Sequence, residues 1–454
     1  MKSLKTFLIW GIVVLVGVAS FTTLAISRGE QVSAVWMVTA AVSVYCIAYR
    51  FYSLYIAKYV MQLDPNRLTP AERHNDGLDY VPTHKGVLFG HHFAAIAGAG
   101  PLVGPVLAAQ MGYLPGTLWI IFGVVFAGAV QDMMVLFVSM RRDGKSLGDI
   151  VKQELGTVPG VIASIGILMI MVIIMAVLAL IVVKALVHSP WGTFTIAATM
   201  PIALFMGIYT RYIRPGKIGE ISIVGFILLM LAVIYGDNVA HSSIGHWFDL
   251  DGIQLTWAIM IYGFVASVLP VWLLLTPRDY LSTFLKIGTI VALAIGILIV
   301  SPALQMPAVT HFIDGSGPVF SGALFPFLFI TIACGAVSGF HALISSGTTP
   351  KMLENETHVR MIGYGGMLME SFVAIMALAA AASLDPGVYF AMNSPAALIG
   401  TDANTAAEVI TTKLQFPVDA ATLLHTAKEV GENTILSRAG GAPTLAVGMA
   451  HIMS

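Results

Sequence analysis

Charged residues are scarce in this sequence. Asp, Glu, Lys and Arg make up 10% of its 454 residues, whereas 57% are hydrophobic. Globular domains in water carry charge on about a quarter of their residues, so this chain lacks the charges that a water-exposed surface requires. Its net charge is −1 and it has no basic block, which excludes a nucleic-acid-binding protein. The composition therefore excludes a soluble enzyme and predicts a protein whose solvent is lipid.

Cysteines and strand-like patterns are also few. The two cysteines, Cys46 and Cys334, both lie in apolar runs, which argues against a disulfide framework and against a cysteine-based metal site. Segments of about ten residues with alternating hydrophobicity, the pattern of membrane barrels, do not occur. We therefore predict an all-α integral membrane protein with no metal site, no cofactor and no catalytic residues.

Long apolar runs make up most of the chain. A helix needs about 20 mostly apolar residues to cross the hydrocarbon core of a bilayer, and eleven runs meet that criterion. The first run resembles a signal peptide, but it is long for a signal core and no clean cleavage site follows it. We number the predicted transmembrane helices as spans one to eleven: Phe7–Ile26, Val32–Ala57, Val87–Met111, Thr117–Ser139, Val161–Ala185, Trp191–Thr210, Ile218–Gly236, Thr256–Leu275, Leu281–Val300, Gly322–Ser346 and Ile362–Ser383.

The basic residues are divided unequally between the two sets of alternate loops. Of the 23 Lys and Arg residues, 18 fall on the side of the N-terminus, and Lys286, near the start of span nine, is counted with them. Loops rich in Lys and Arg face the cytoplasm. The distribution therefore predicts a cytoplasmic N-terminus.

The character of the chain changes after Ser383. Residues 384–454 contain no further apolar run of spanning length. We predict a transmembrane domain at 1–383 and an extracytoplasmic segment at 384–454. Residues 440–453 are apolar but too few to cross a bilayer, which fits an interfacial or re-entrant helix.

Span three has an unusual cluster of glycine and proline near its middle. Gly98, Gly100, Pro101, Gly104 and Pro105 fall within eight residues. Each proline removes a backbone donor, and its ring clashes with the carbonyl one turn back. We therefore predict an interrupted helix, with a simple kink as the alternative. Interrupted backbone at membrane depth requires protein or water to satisfy its polar groups, and transporters use it to hold substrates and ions.

Span eight contains Gly263 and Pro270, and the charge distribution orients it opposite to span three. Interrupted helices at matching positions in two inverted halves point to a substrate site at the bilayer midplane. We predict such an inverted repeat, in which the second half is one helix short. Either the chain is truncated after Ser454, or residues 440–453 partly replace the missing helix. The predicted substrate-binding residues are Gly98, Gly100, Pro101, Gly104, Gly263 and Pro270.

Several ionisable residues lie inside the predicted spans. They cost free energy unless paired or hydrated, so each is a site candidate. His91 and His92 precede the break and suit either proton coupling or neutral packing. Asp132 suits a functional role or a structural pair with His91 or a loop arginine. Glu370 lies in mid-span, where an unpaired carboxylate would take up a proton.

Span ten is rich in hydroxyl groups, including those of Ser345 and Ser346. Such hydroxyls often bond to carbonyls of their own helix, and the neighbouring glycines suit close helix packing. A cation site built from hydroxyl and carbonyl oxygens is the alternative. The candidates for ion coupling, with a proton or Na⁺ as the ion, are His91, His92, Glu370, Asp132, Ser345 and Ser346.

Several segments of the sequence resemble those of a known protein family. They include GHHFAAIAGAGPLVGPVLAAQMG (90–112), GAVQDMMVLF (128–137), TPRDYLSTFLKIGT (276–289), SSGTTPKML (345–353) and YGGMLMESFVAIMALAA (364–380). With these strings, nearly the whole chain resembles the carbon starvation protein A family. The resemblance implies a bacterial or archaeal inner-membrane carrier that takes up peptides or pyruvate during nutrient limitation. It also implies a LeuT-like fold of the amino acid–polyamine–organocation superfamily, with about 11 transmembrane helices of which the third and eighth are broken.

The residues leave three functional hypotheses. The first is a secondary transporter, coupled to protons or sodium, whose partners are a small-molecule substrate and the lipid bilayer. The second is a membrane metalloenzyme that uses His91, His92 and His341, although adjacent helical residues point about 100° apart. The third is a nutrient sensor. Family members continue past GGAPTLAVGMAHI into further hydrophobic spans, so a truncated, transport-incompetent member is a further alternative.

Overall fold

The computed structural model describes residues 32–430, 432–438 and 440–453, and predicted span one lies outside them. Within these residues the chain is helical, with two isolated bridges and no β-strand. We number the helices in chain order and leave single turns aside. They are α1 (Ala34–Val60), α2 (Lys85–Ile96), α3 (Gly100–Met111), α4 (Tyr113–Arg141), α5 (Leu147–Leu155), α6 (Thr157–Leu186), α7 (Pro190–Ile213), α8 (Ile218–Ala240), α9 (Gly252–Val268), α10 (Leu275–Val300), α11 (Gly339–Ser345), α12 (Glu356–Ser383), α13 (Pro386–Asn393), α14 (Ala403–Lys413), α15 (Ala420–Glu429) and α16 (Ala442–Met453).

Most of the long helices are suited to a bilayer. Seven helices of the described residues are long and apolar enough to cross a membrane, and the bent pair α2–α3 makes an eighth if it is counted as one span. The prediction of an all-α integral membrane protein is confirmed. The number of eleven spans, the LeuT-like inverted repeat and the division at residue 383 stay predictions.

Helix α12 lies at the centre of the bundle and helix α6 at its periphery. The apolar window of α12 is 83% buried, whereas that of α6 is 0% buried and has a mean hydropathy of 3.3. The second half of α12 is rich in alanine, and small residues let neighbouring backbones approach closely. It contacts α1, α3, α4 and α16. Because α6 is apolar all round and unburied, its side chains require a lipid environment.

Span three is interrupted, as its glycines and prolines predict. Helices α2 and α3 meet at an angle of 45° across residues 97–99. Pro101 occupies the first turn of α3, where a missing backbone N–H costs nothing, and Pro105 lies inside the same helix. Pro101, the first proline of span three, therefore begins the second half-helix.

Span eight differs from its prediction. Helix α9 runs without interruption through Gly263, which is exposed, and it ends before Pro270. Pro270 belongs to a turn, and α10 then begins at Leu275, six residues earlier than predicted, with Pro277 in its first turn. The predicted interruption at Gly263 is wrong, because a single glycine is tolerated in a helix interior. At Pro270 the chain does leave the helix, but there the proline follows the end of α9 and precedes a new helix.

The second discontinuous segment is span ten instead. Residues 324–331 form a first helical piece, Ala333–Ala336 form a single turn, and α11 follows after an extended pair at Val337 and Ser338. Residues 331–336 pack against α3. Two interrupted segments therefore lie side by side in the core.

The C-terminal region packs onto the same core. Helices α13, α14 and α15 form a compact group after α12, and α16 lies against α12, α10 and α3. At Gly448 a side chain would overlap the carbonyl group of Ala380, 2.5 Å from the oxygen. Helix α16 is apolar but shorter than a membrane span, as predicted for residues 440–453.

A buried carboxylate ties the start of α12 to neighbouring segments. Glu356 is fully buried and pairs with Arg141 at 2.5 Å and with Arg67 at 3.6 Å, and the amide of Asp64 also donates to it. Removing one partner of a buried ion pair costs about 3–5 kcal/mol, because it leaves an uncompensated charge. Glu356→Gln should therefore lower the free energy of unfolding by about 3 kcal/mol, measured by denaturant titration in detergent.

The matched control for this prediction is Glu154→Gln. Glu154 pairs with Arg142, and both side chains are more than 40% exposed. Exposed pairs contribute little to stability, so this variant should unfold like the unmodified chain. Equal unfolding of the two variants would contradict the role given to Glu356.

Candidate functional site

The break between α2 and α3 leaves two backbone carbonyls without helical partners. The amide of Gly98 donates to the carbonyl of Ile96 at 2.9 Å instead of to Ala94, four residues before it. The carbonyl of Ala97 would accept from residue 101, but Pro101 has no N–H. Buried backbone carbonyls require a partner, so this break demands a donor from elsewhere in the fold.

Lys286 of α10 supplies that donor. Its ammonium group donates to the carbonyl of Ala94 at 2.9 Å and to that of Ala97 at 2.8 Å. A cation at the C-terminal end of a helix is also favoured by the helix dipole. The sequence-based placement of Lys286 among the loop cations was wrong, because α10 begins before the predicted start of span nine.

The break in span ten brings two distant side chains together. Cys334 and His341 are seven residues apart, which in a continuous helix is a rise of about 10 Å. In the structure the Sγ of Cys334 lies 3.8 Å from the Nε2 of His341. Gln131 of α4 donates to the carbonyl of Ser338 at 2.6 Å, so this break too is satisfied by a side chain of a neighbouring helix.

Four side chains meet at this point, and we call them the central cluster: Asp132, Cys334, His341 and Glu370. His341 lies between two carboxylates, with its Nδ1 3.0 Å from Asp132 Oδ2 and its Nε2 3.1 Å from Glu370 Oε2. The Sγ of Cys334 donates to Glu370 Oε1 at 3.3 Å. The side chains of Asp132, His341 and Glu370 are completely buried.

The sequence singled out three of the four members of the central cluster, with His341 named only under the metalloenzyme hypothesis. Asp132 and Glu370 were predicted as ion-coupling candidates, and the structure joins them through one imidazole. The partner of Asp132 is His341 rather than His91 or a loop arginine. Cys334 was missed because its apolar surroundings resemble those of an ordinary core cysteine. The glycines that flank it, Gly335 and Gly339, are the signal that this helix is interrupted.

His91 and His92 lie on α2 and face threonines rather than a shared metal position. His91 contacts Asp279 at 3.0 Å through Nδ1 and Thr348 at 3.2 Å through Nε2. His92 contacts Thr349 at 2.9 Å through Nδ1. The arrangement does not gather His91 and His92 with His341 on one point, as the metalloenzyme hypothesis requires.

The remaining predicted residues fall into three groups. Gly98, Gly100, Pro101 and Gly104 lie at the break or in α3, whereas Gly263 and Pro270 lie on α9 and in the turn after it. Ser345 is buried at the end of α11, and the hydroxyl of Ser346 donates to the carbonyl of Ala342 at 2.7 Å. That bond is the local pattern of helical hydroxyls, and the cation role predicted for the two serines stays a prediction.

Two glycines of α3 permit its close approach to span ten. A Cβ at Gly100 would lie 2.5 Å from the Sγ of Cys334, and one at Gly104 would overlap the carbonyl oxygen of Thr331. At Gly98, by contrast, a Cβ would meet nothing within 4 Å. Helix α2 is therefore followed by open space at Gly98, whereas α3 begins in tight contact with Cys334 at Gly100.

A cavity of about 460 Å³ opens on the side of the basic loops. Arg211 stacks over the ring of Trp272 at 4.4 Å, and the indole N–H of Trp272 donates to the carbonyl of Gly77 at 3.1 Å. The amide of Leu78, with those of Tyr80 and Asp79, lowers the pKa of Asp76 in this loop, so its carboxylate stays charged at neutral pH. The lining also includes His84, Met206, Thr210, Thr276, Tyr280 and Met352.

These features define a multi-pass membrane protein with two discontinuous segments packed side by side and buried ionisable groups at their breaks. The family model described as carbon starvation protein CstA matches residues 33–454. The chain therefore belongs to the CstA family.

Relatives in this family have names that describe transport. The chain is 66% identical to "Peptide transporter CstA" of Escherichia coli over 98% of its own length and 64% of the relative's. It is 59% identical to "Pyruvate/proton symporter BtsT" of the same organism, over 98% of the chain and 65% of the relative. It is also 59% identical to "Peptide transporter CstA" of Campylobacter jejuni, over 100% of the chain and 65% of the relative. The chain thus spans just under two thirds of these relatives, and no solved structure matches it.

Proposed function

We propose that this chain is part of a secondary transporter that takes up short peptides or a small carboxylate such as pyruvate, coupled to protons. The names of its relatives support the substrate classes. The observation that carries the proposal is the α2–α3 break, where Lys286 holds the carbonyls of Ala94 and Ala97. Discontinuous membrane helices with charged groups at the break are the usual substrate and ion sites of transporters.

The substrate site in this proposal is the space at Gly98, beside the N-terminus of α3. The positive end of the helix dipole at a helix N-terminus favours a negatively charged group, such as the carboxylate of pyruvate or of a peptide. Pro101 and Gly104 set the direction and the depth of α3 against span ten. Gly263 is exposed on α9 and Pro270 lies in the turn after that helix, so we leave both out of the proposed site.

The coupling ion in this proposal is the proton. Carbonyls at a broken helix end are ligands for Na⁺ in transporters, and here the Lys286 ammonium occupies that position. Beside it, the Nδ1 of His91 lies 3.0 Å from Asp279 Oδ2, and this pair is the proposed proton-transfer group. His92, Asp132, Glu370, Ser345 and Ser346 stay candidates for the same role.

The proposal places the protein in the bacterial inner membrane with its N-terminus in the cytoplasm, and it assigns no enzymatic activity. The loops between α4 and α5 and between α7 and α8 are rich in Lys and Arg, which supports that orientation. The metalloenzyme with His91, His92 and His341 and the nutrient sensor gain no support from the geometry.

The test is uptake of labelled pyruvate and labelled dialanine by cells that express the gene, compared with cells that carry an empty vector. We expect uptake of at least one substrate to rise several-fold, to collapse with a protonophore and to persist when choline replaces sodium. Uptake that requires sodium would contradict the proton as the coupling ion. Absence of uptake for both substrates, with the protein present in the membrane, would contradict the proposed substrate classes.

A further inference from the structure

We propose that Cys334, His341 and Glu370 form a binding site for a divalent transition-metal ion of the zinc class, with Asp132 holding His341 in position. Each of the three residues offers one ligand atom, and these atoms lie within 4.8 Å of one another. The proposal does not depend on transport, because it concerns the donor atoms alone.

The distances between the donor atoms are close to the edges of a tetrahedral site. The Sγ of Cys334 lies 3.8 Å from His341 Nε2. The two oxygens of Glu370 face different partners, with Oε1 3.3 Å from Sγ and Oε2 3.1 Å from Nε2. For ligand bonds of about 2.0–2.3 Å, a tetrahedron has edges of about 3.3–3.6 Å. One ligand atom from each residue lies within 4.8 Å of the others, so a rotation of the Glu370 carboxylate that brings one oxygen toward both Sγ and Nε2 would let the three side chains share one ion.

Asp132 gives His341 the orientation that a metal ligand needs. The Nδ1 of His341 lies 3.0 Å from Asp132 Oδ2, so the carboxylate favours the tautomer with its proton on Nδ1. The lone pair of Nε2 then points toward Cys334 and Glu370. Metal-binding histidines usually donate their second ring N–H to a carboxylate or carbonyl in this way.

An oxygen of Glu370 points independently to a ligand. Oε2 is buried and has no hydrogen-bond partner among the described residues, although Nε2 of His341 is only 3.1 Å away. Buried carboxylate oxygens without a partner are costly. A cation between Nε2 and Oε2 would satisfy both atoms at once.

The charges of the donor set suit a divalent ion. One thiolate, one carboxylate and a neutral imidazole balance a charge of two, which reduces the cost of burying the ion. Thiolate and imidazole ligands select zinc-class metals, whereas Mg²⁺ and Ca²⁺ prefer oxygen ligands alone. Three protein donors leave a fourth position for water or a carboxylate.

This proposal revises the expectation drawn from the cysteine count. Two cysteines in separate apolar runs cannot form a multi-cysteine site, but one cysteine with a histidine and a carboxylate can. The interruption of span ten brings Cys334 and His341 together, and the absence of a side chain at Gly100 leaves room for the thiol. Glu370 would then be a metal ligand, and a proton carrier only when no ion is bound.

The test compares metal binding by the purified chain with that of single variants. After chelation, the protein is incubated with Zn²⁺, freed of excess metal by gel filtration and analysed by mass spectrometry for metals. We expect about one ion per chain in the unmodified protein and in the control Cys46→Ser, whose cysteine is exposed on α1 and is not a member of the central cluster. Cys334→Ser and His341→Gln should retain less than one tenth of that amount.

A second measurement separates a lost site from a misfolded chain. Co²⁺ bound through a thiolate gives a thiolate-to-cobalt charge-transfer band, which we expect in the unmodified protein and in Cys46→Ser but not in Cys334→Ser. Asp132→Asn should keep the band and bind Zn²⁺ about 10–100-fold more weakly. If the monodisperse, unmodified protein binds no Zn²⁺ and shows no cobalt band, or if Cys334→Ser binds Zn²⁺ as tightly, the proposal is overturned. Neither result would bear on the uptake experiment.

Discussion

Gly100→Leu is expected to abolish uptake while the protein still inserts into the membrane. Its Cβ would lie 2.5 Å from the Sγ and 2.8 Å from the Cβ of Cys334, and the isobutyl group beyond it has no room. Overpacking of this kind costs about 1–3 kcal/mol, which displaces α3 without unfolding the bundle. A displacement of about 1 Å at a reacting or binding centre is enough to lower a rate about 100-fold. Initial rates of labelled pyruvate and dialanine uptake measure the effect.

The matched control is Gly166→Leu. Gly166 lies within α6, and a Cβ there would meet nothing within 4 Å. Because α6 presents its side chains to lipid, a leucine at this position should leave uptake unchanged. Both variants need to reach the membrane in similar amounts, as measured by immunoblotting. Normal uptake by Gly100→Leu would remove the α2–α3 break from the proposed substrate site.

Lys286→Met is expected to have the second large effect, on both stability and uptake. Methionine has a similar length but donates no hydrogen bond, so the carbonyls of Ala94 and Ala97 would lose their partner. An unsatisfied buried acceptor costs about 1–3 kcal/mol, and two of them predict a loss of about 2–6 kcal/mol. Thermal unfolding in detergent should show a clearly lower midpoint, and uptake should fall to the level of the empty vector.

The control for the lysine variant is Lys184→Met. Lys184 is exposed near the end of α6, so removal of its charge should change neither the unfolding midpoint nor the uptake. Unchanged uptake by Lys286→Met would contradict the assignment of Lys286 to the proposed coupling site. A lower midpoint with normal uptake would assign Lys286 to stability alone.

Local chemistry explains why the sequence predicted one break and misplaced the other. At Gly98–Pro105 two prolines and three glycines fall together, and proline acts on its own backbone whatever surrounds it. Span ten contains no proline between Phe327 and Gly347, and its interruption depends on a partner, the amide of Gln131, from another helix. Pro270 also acts on its own backbone, but the sequence does not distinguish a proline that ends a helix from one that interrupts it.

The position of Lys286 shows how a small error at a helix end changes a functional prediction. With a helix that starts at residue 281, Lys286 lies in the second turn, near the membrane surface. Helix α10 starts at Leu275, so the same residue lies about three turns inside and reaches the α2–α3 break. The count of Lys and Arg predicts which loops face the cytoplasm. It could not show that Lys286 lies inside the helix bundle rather than in a loop.

The pairing within the central cluster could not be predicted from the sequence, for a related reason. A carboxylate in a lipid-spanning segment requires a partner, which is why Asp132 and Glu370 stood out. Their shared partner is 209 residues from Asp132 and faces it only because span ten is interrupted. A pattern within one segment carries no information about such a pair.

The two halves of span three have partly different neighbours. Helix α2 is attached to α10 along its length, since Thr283 donates to the carbonyl of Gly90 at 2.8 Å and Lys286 donates to Ala94 and Ala97. Both halves contact α12, and α3 alone packs closely against residues 331–336. Residues 97–99 join the two half-helices, so any change in the 45° angle between them would fall on these three residues.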